Sequence, residues 1–220
     1  MSESEIKDQI VEFLIAGSDI NAFAILMAII MLLKHPDKLR KLRTELESTF
    51  PEFQNRVKSR EHENNLFLPS YESLKHLKYL GAVVDETLRL YPSSLGGIAR
   101  QTTEDTIISN YLIPKGTMVS ASIWNLHRSK QFWGPDADEF VPERWFNLDA
   151  NIRSDAYFPF GSGPRLCIGN NFATMEIKII VCALLGNFEF FFTERSDYQV
   201  VQIVIPSLKN NTFEVGVTRL

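Results

Sequence analysis

Apolar residues dominate the start of this chain. From Ala22 to Leu33 every position is apolar. That run is shorter than the ~20 residues a bilayer span needs. Extending it towards the N-terminus meets Asn21, Asp19 and Glu12, which are costly in lipid. A helix apolar almost all round, with one polar notch, belongs inside a large protein. The pattern predicts one long buried helix over residues 3 to 34 and no membrane anchor. His35-Pro36 ends it, and Pro36 suits the first turn of the next helix. Asp37 to Phe50 repeats Leu39, Leu42 and Leu46 at helical spacing. Residues 51 to 69 are polar and bracketed by Pro51 and Pro69, which predicts an exposed loop. Tyr71 to Lys75 is expected to form a helical turn. Leu77 to Leu90 reads as a further helix, stopped by Pro92 and carrying Leu80, Val83, Val84, Leu88 and Leu90.

Beyond Pro92 the period shortens. Ile98 to Gln101, Thr106 to Ile108 and Thr117 to Ser120 read as short strands, with Pro114-Lys115-Gly116 as a turn between the last two. Residues 130 to 157 are rich in Pro, Asp and Trp without a clear period, so they are expected to be irregular but packed. Cys167 to Leu185 reads as a helix; Phe188 to Phe192, Val200 to Ile205 and Thr212 to Arg219 read as strands. The fold class is mainly α with small β-sheets. There is no internal repeat.

Composition narrows the function. An apolar share of 45% suits a globular core. A net charge of −4 gives no footing for nucleic acid. The opening Ser2-Glu3-Ser4-Glu5 does not suit a signal peptide. The two cysteines, Cys167 and Cys182, are isolated in sequence, which fits a reducing compartment. Cys182 lies in an apolar run, Ile179 to Leu185, and reads as core.

Cys167 differs. It ends the stretch Phe160-Gly161-Ser162-Gly163-Pro164-Arg165-Leu166-Cys167 and is followed by Ile168-Gly169 and an apolar helix. Glycines permit turns and close approaches that a side chain blocks. Arg165 places a permanent positive charge two residues before the sulfur. The helix start offers unpaired N–H groups and the positive end of its dipole. All three favour the thiolate over the thiol.

The pattern Phe-x-x-Gly-x-Arg-x-Cys-x-Gly, carried by Phe160, Gly163, Arg165, Cys167 and Gly169, resembles the haem-binding loop of the cytochrome P450 family. Glu86-Thr87-Leu88-Arg89 is similar to its Glu-x-x-Arg motif, and Pro142-Glu143-Arg144-Trp145 to its Pro-Glu-Arg-Phe segment. Trp124-Asn125-Leu126-His127-Arg128 is similar to the segment before the irregular stretch. The resemblance implies haem b with Cys167 as the axial iron ligand, Phe160 beside the sulfur, and Arg165 and Arg100 on the propionates. It implies a buried Glu86–Arg89–Arg144 network under the loop. His127, alone among its neighbours, reads as a hydrogen-bonded core histidine rather than a metal ligand.

Ala16-Gly17-Ser18-Asp19 resembles the family's oxygen-binding helix, in which Gly17 permits a local widening and Asp19 relays protons. The family then has threonine; this chain has Ile20, followed by Asn21. Isoleucine cannot donate a hydrogen bond. Asn21 takes the role only if the helix unwinds, since its direction on a regular helix differs by ~100°.

The resemblance covers residues 1–220 as the C-terminal portion of a single domain of the eukaryotic microsomal type, without the N-terminal half. It implies monooxygenation of a small apolar organic substrate, electrons from an NADPH-dependent reductase, and a parent protein on the cytosolic face of the endoplasmic reticulum membrane. The stretch from Lys34 to Arg43 holds five basic residues and one acid: a docking face for an acidic partner, or a solvated helix face. Two alternatives stand beside this. One is a haem-thiolate isomerase or dehydratase, which needs no oxygen activation and loses nothing by Ile20. The other is a truncated product without function.

Overall fold

The computed structural model describes residues 1–51, 53, 66–93, 97, 99–202, 206–208 and 213–220. Helix α1 (Glu3–Lys34) opens with a capping box in which Ser2 and Glu5 satisfy each other's backbone N–H groups. It runs as unbroken α-helix through Gly17 to Lys34, so the widening expected at Gly17 is not formed. Its C-cap, His35, is followed at once by α2 (Pro36–Thr49), with Pro36 at N1 as its ring requires. After α3 (Tyr71–Leu74) comes α4 (Lys78–Leu90).

The start of α4 has no cap of its own, since Leu77 offers no side-chain acceptor. Glu45 of α2 replaces it. Its carboxylate accepts the Tyr79 N–H at 2.7 Å and the Leu80 N–H at 2.8 Å. These are two of the orphan donors of the first turn, so α2 and α4 are joined where α4 begins. A second joint lies beside it. Glu143 accepts from the Tyr79 hydroxyl at 3.0 Å and pairs with Lys38 and Lys41. Burial pulls its carboxyl upward, but the two ammonium groups and the hydroxyl outweigh this and hold it down to about 2.

The small sheets follow. Strand β1 (Arg100–Gln101) pairs with β4 (Met118–Val119), and β2 (Thr106–Ile108) with β3 (Tyr111–Ile113), all antiparallel. Strand β3 was not expected from sequence. The chain reverses at Ser109 and Asn110, which both hold positive φ (47° and 68°), a two-residue hairpin turn normally marked by glycine. The Pro114–Gly116 turn then joins β3 to β4.

The stretch from 130 to 157 is packed but not wholly irregular. It contains α6 (Lys130–Trp133), a 3₁₀ turn (Pro142–Phe146) and α7 (Ala150–Ala156), preceded by α5 (Ile123–Leu126). Trp133, Ala137 and Ala156 bury a satellite core there. Helix α8 (Asn170–Asn187) begins three residues later than expected, with Gly169 as its N-cap. Strands β5 (Phe188–Phe191) and β8 (Gly216–Arg219) pair, as do β6 (Val200–Gln202) and β7 (Pro206–Leu208). Ile98, residues 203–205 and Thr212, included in expected strands, lie outside the described residues.

The main core joins α1, α2, α4 and α8. Ala28, Leu32, Leu42, Leu46, Leu80, Val84, Val181 and Leu185 are all essentially closed to solvent. Cys182 belongs to it, as its apolar run implied. The expected exposed loop of 51 to 69 is corrected where it is described. Phe53 and Phe67 are buried, and Phe67 packs edge-on against Phe50 at 4.9 Å between ring centres. Asn187 holds Phe67 by both backbone groups, accepting its N–H at 2.7 Å and donating to its carbonyl at 2.8 Å.

Helix α1 is only partly the buried helix the sequence implied. Burial begins at Asn21 and reaches Leu32. The first half exposes Ile10, Val11, Phe13, Leu14 and Ile15, each more than half open to solvent. By length and composition α1 could cross a membrane. A partly buried core helix passes the same test.

Candidate active site

The Cys167 loop is a tight reversal. The Cys167 N–H returns to the Phe160 carbonyl at 3.0 Å, and the Leu166 N–H to Gly163 at 3.0 Å. Gly161 and Gly163 hold φ of +75° and +65°, a region that L side chains rarely occupy. Gly169 needs no such freedom, but a Cβ there would sit 3.9 Å from the Cys167 sulfur. Phe160 packs against the main core, anchoring the start of the loop. Its end is tied to α8 by the Asn170 N–H donating to the Cys167 carbonyl at 3.3 Å.

The loop presents its thiol outward. Cys167 is exposed, and so are Leu166, Ile168 and Phe172; Ile168 is 87% exposed. Arg165 is exposed in the 3₁₀ turn Gly163–Arg165. Arg100, on β1, is also exposed, and among the described residues it donates to the Ala99 carbonyl at 3.5 Å. Neither guanidinium is paired with an acid among the described residues. An exposed cysteine, the exposed apolar side chains Leu166, Ile168 and Phe172, and two guanidinium groups without an acid among the described residues suit an apolar macrocycle with a metal at its centre and carboxylates at its edge.

Glu86, Arg89 and Arg144 meet in the interior. Glu86 accepts from Arg89 Nε at 2.8 Å and Nη2 at 2.9 Å, and from Arg144 Nε at 2.9 Å. It also takes the Val141 N–H at 2.9 Å and the Trp145 indole N–H at 3.0 Å. Arg89 spends its remaining donors on the carbonyls of His127, Ala137 and Glu139 at 2.6–3.0 Å. Glu86 and Arg89 are fully buried. A buried charge set of this kind is tolerable because every member is paired and hydrogen-bonded. Sequence reasoning missed Trp145 and Val141 as donors, although both flank Arg144.

His127 is buried and satisfied. Its Nδ1 lies 3.0 Å from the Arg89 carbonyl, and its Nε2 accepts the Phe158 N–H at 2.9 Å. Burial, reinforced by nearby Arg89 and Arg128, lowers its pKa to about 4.

The α1 residues divide. Asp19 is exposed and Ile20 half-buried. Asn21 is buried, and its amide nitrogen donates to Glu176 of α8. Because the helix is regular here, Asn21 does not swing towards the direction of Ile20. Glu176 was not singled out in the sequence; its position nine residues after Cys167 was the available signal.

Comparison with known proteins gives the family. The cytochrome P450 family profile matches residues 1–210. Cytochrome P450 monooxygenase acrD of Aspergillus aculeatus is 34% identical over 218 residues, covering 98% of this chain and 41% of that protein. Cytochrome P450 3A12 of Canis lupus familiaris is 37% identical over 191 residues, covering 86% of this chain and 35% of that protein. The crystal structure of a cytochrome P450 (CYP102L1) superposes on the whole chain with a TM-score of 0.82 at 30% identity, over 46% of its own length. The chain therefore spans less than half the length of these relatives. With a profile match along nearly all of its residues and a matching fold, it belongs to the cytochrome P450 family.

Proposed function

We propose that this chain forms the thiolate-bearing part of a haem monooxygenase. When bound, haem b supplies the activation of dioxygen, one atom of which enters a small apolar organic substrate while the other leaves as water. The carrying observation is the exposed Cys167 on its positive-φ loop. Among the described residues no set of three or more His, Cys, Asp or Glu side chains is gathered for a metal ion. In the cytochrome P450 family the iron is carried by haem and held by a cysteine thiolate, and Cys167 would be that ligand here. Arg165 and Arg100 hold the haem carboxylates; Phe160, Gly163 and Gly169 shape the loop beneath it. A thiolate ligand favours O–O bond cleavage.

Asp19 is the group for proton transfer on α1. Asn21 donates its amide hydrogen bond to the Glu176 carboxylate and so orients that carboxylate rather than relaying a proton itself. Electrons come from an NADPH-dependent reductase. The basic stretch Lys34 to Arg43 is a weaker docking face than its composition suggests, because Lys38 and Lys41 already pair with Glu143. The parent protein belongs to the cytosolic face of the endoplasmic reticulum membrane.

The test is the ferrous carbon monoxide adduct of the chain with haem. Thiolate ligation gives a red-shifted Soret band. Cys167→Ser is expected to abolish it and Cys182→Ser to leave it. Loss of the band with Cys182→Ser instead overturns the assignment.

Ile20 on a regular helix favours a second reading, a haem-thiolate isomerase or dehydratase acting on a peroxide-like substrate. Under the first reading, Ile20→Thr in a full-length protein raises product formed per reductant consumed. A positioned proton donor is worth about two to four orders of magnitude in rate. Rearrangement of a hydroperoxide without oxygen uptake decides for the second.

A further inference from the structure

We infer that His127 is a positioning residue for the Cys167 loop, fastening the segment that enters the loop to the last turn of α4. The inference is independent of haem except in its spectroscopic test, which rests on the reading of Cys167 as the iron ligand.

The hydrogen bonds assign the ring's tautomer. A backbone N–H can only donate, so the Phe158 N–H, 2.9 Å from Nε2, requires a lone pair there. The hydrogen then sits on Nδ1 and is donated to the Arg89 carbonyl at 3.0 Å. That carbonyl lies in the final turn of α4, where carbonyls lack an intrahelical partner. Phe158 lies two residues before Phe160, whose own carbonyl holds the Cys167 N–H at 3.0 Å. A short chain of contacts thus runs from Arg89 through the imidazole to the backbone that closes around the sulfur.

A second fastening lies beside the first. The Tyr157 hydroxyl donates to the Asp85 carboxylate at 3.1 Å and carbonyl at 3.2 Å, one turn earlier on α4. Two consecutive residues, Tyr157 and Phe158, are therefore pinned along one helix. Arg89 closes the circuit by donating to the His127 carbonyl at 2.6 Å, which ties the buried ion-pair network to the same histidine. The charged and titratable groups around the ring are Arg89, Arg128 and Tyr157. Both ring nitrogens are used, so His127 has neither a free lone pair for a metal nor a path for shuttling protons. An apolar side chain of similar size would fill the space but make neither bond.

The experiment follows amide hydrogen exchange in the full 220-residue chain. His127→Leu loses both bonds and is expected to speed exchange across Phe158 to Cys167 at least about tenfold, the effect that one lost buried hydrogen bond alone has on a local opening. His127→Gln keeps an acceptor near the Nε2 position and is expected to restore most of the protection. With haem added, His127→Leu is expected to lower the fraction of the ferrous carbon monoxide adduct in the thiolate band, and His127→Gln to recover it. Unchanged exchange in the loop of a folded His127→Leu chain overturns the inference. If His127→Leu does not fold, nitrogen NMR of the wild-type imidazole decides, and a hydrogen found on Nε2 overturns it. A wild-type chain whose haem adduct lacks the thiolate band removes the haem reading and leaves the exchange and tautomer measurements standing. A thiolate band with loop exchange indifferent to His127 does the reverse.

Discussion

Two cysteines in one chain meet opposite surroundings. Burial pushes the Cys182 thiol up to about 12, while Cys167 faces solvent. Alkylation at neutral pH is expected to label Cys167 promptly and Cys182 only after unfolding, because the thiolate is the reactive form; mass spectrometry of the labelled peptides checks it. This contrast was legible in the sequence, since Cys182 sits in an unbroken apolar run and Cys167 among glycines. The anchoring of His127 was not, because Arg89 and Phe158 are 38 and 31 residues away. Its pH behaviour follows from burial. The folded pKa is about 4, against about 6.5 for an unfolded chain. Between those values the unfolded chain takes up a proton that the folded chain refuses, so stability falls as pH drops from about 6.5 towards about 4. The full effect of this one group is about 3 kcal/mol. Urea melts across that window are expected to show a steeper pH dependence for the wild type than for His127→Gln. Equal slopes would mean that the ring is not buried and neutral.

Helix α4 shows what sequence reveals of an element and what it does not. Its apolar stripe and its stop at Pro92 were readable, and the Glu-x-x-Arg spacing named the pair it carries. Its N-terminal cap was not readable, because the capping carboxylate, Glu45, arrives from α2. The hairpin of β2 and β3 was missed for a different reason: Ser109 and Asn110 take the left-handed turn without a glycine to announce it. The network on α4 leads to a graded prediction. Arg89→Met takes from Glu86 its bidentate guanidinium partner and leaves three buried backbone carbonyls without a donor, and is expected to cost about 3–5 kcal/mol. Arg144→Met is expected to cost less, since Glu86 keeps Arg89, the Val141 N–H and the Trp145 indole, and Arg144 is itself partly exposed. Denaturant melts of both variants and of the double variant test the order. A larger loss from Arg144→Met would mean that Glu86 is held chiefly from the 3₁₀ turn rather than from its own helix.

At the scale of the molecule, cover and not composition decides the fate of α1. Before Asn21 it carries Ile10, Val11, Phe13, Leu14 and Ile15 among charged residues, and burial runs only from Asn21 to Leu32. The sequence showed a helix apolar nearly all round with a polar notch, and could not show where its neighbours stop. Phe13, Leu14 and Ile15 stand 58%, 66% and 60% exposed on successive positions, and with Ile10 and Val11 they form a contiguous apolar surface. Such surfaces drive association in water. The 220-residue chain is therefore expected to self-associate at micromolar concentrations, as read by sedimentation velocity. Replacing Ile10, Phe13 and Leu14 together with lysine is expected to restore a monomer. It is also expected to leave stability within about 0.5 kcal/mol for each change, as at ordinary surface positions. Met27→Lys is the contrasting case. Met27 is fully buried against α1's neighbours, and an ammonium group there has no partner, so the chain should fail to fold. If the triple variant lowered the melting temperature as a core substitution does, the first half of α1 would be covered in solution. If it left association unchanged, the surface driving association would lie elsewhere, with the exposed β2–β3 hairpin side chains Ile107, Tyr111 and Leu112 next to be replaced.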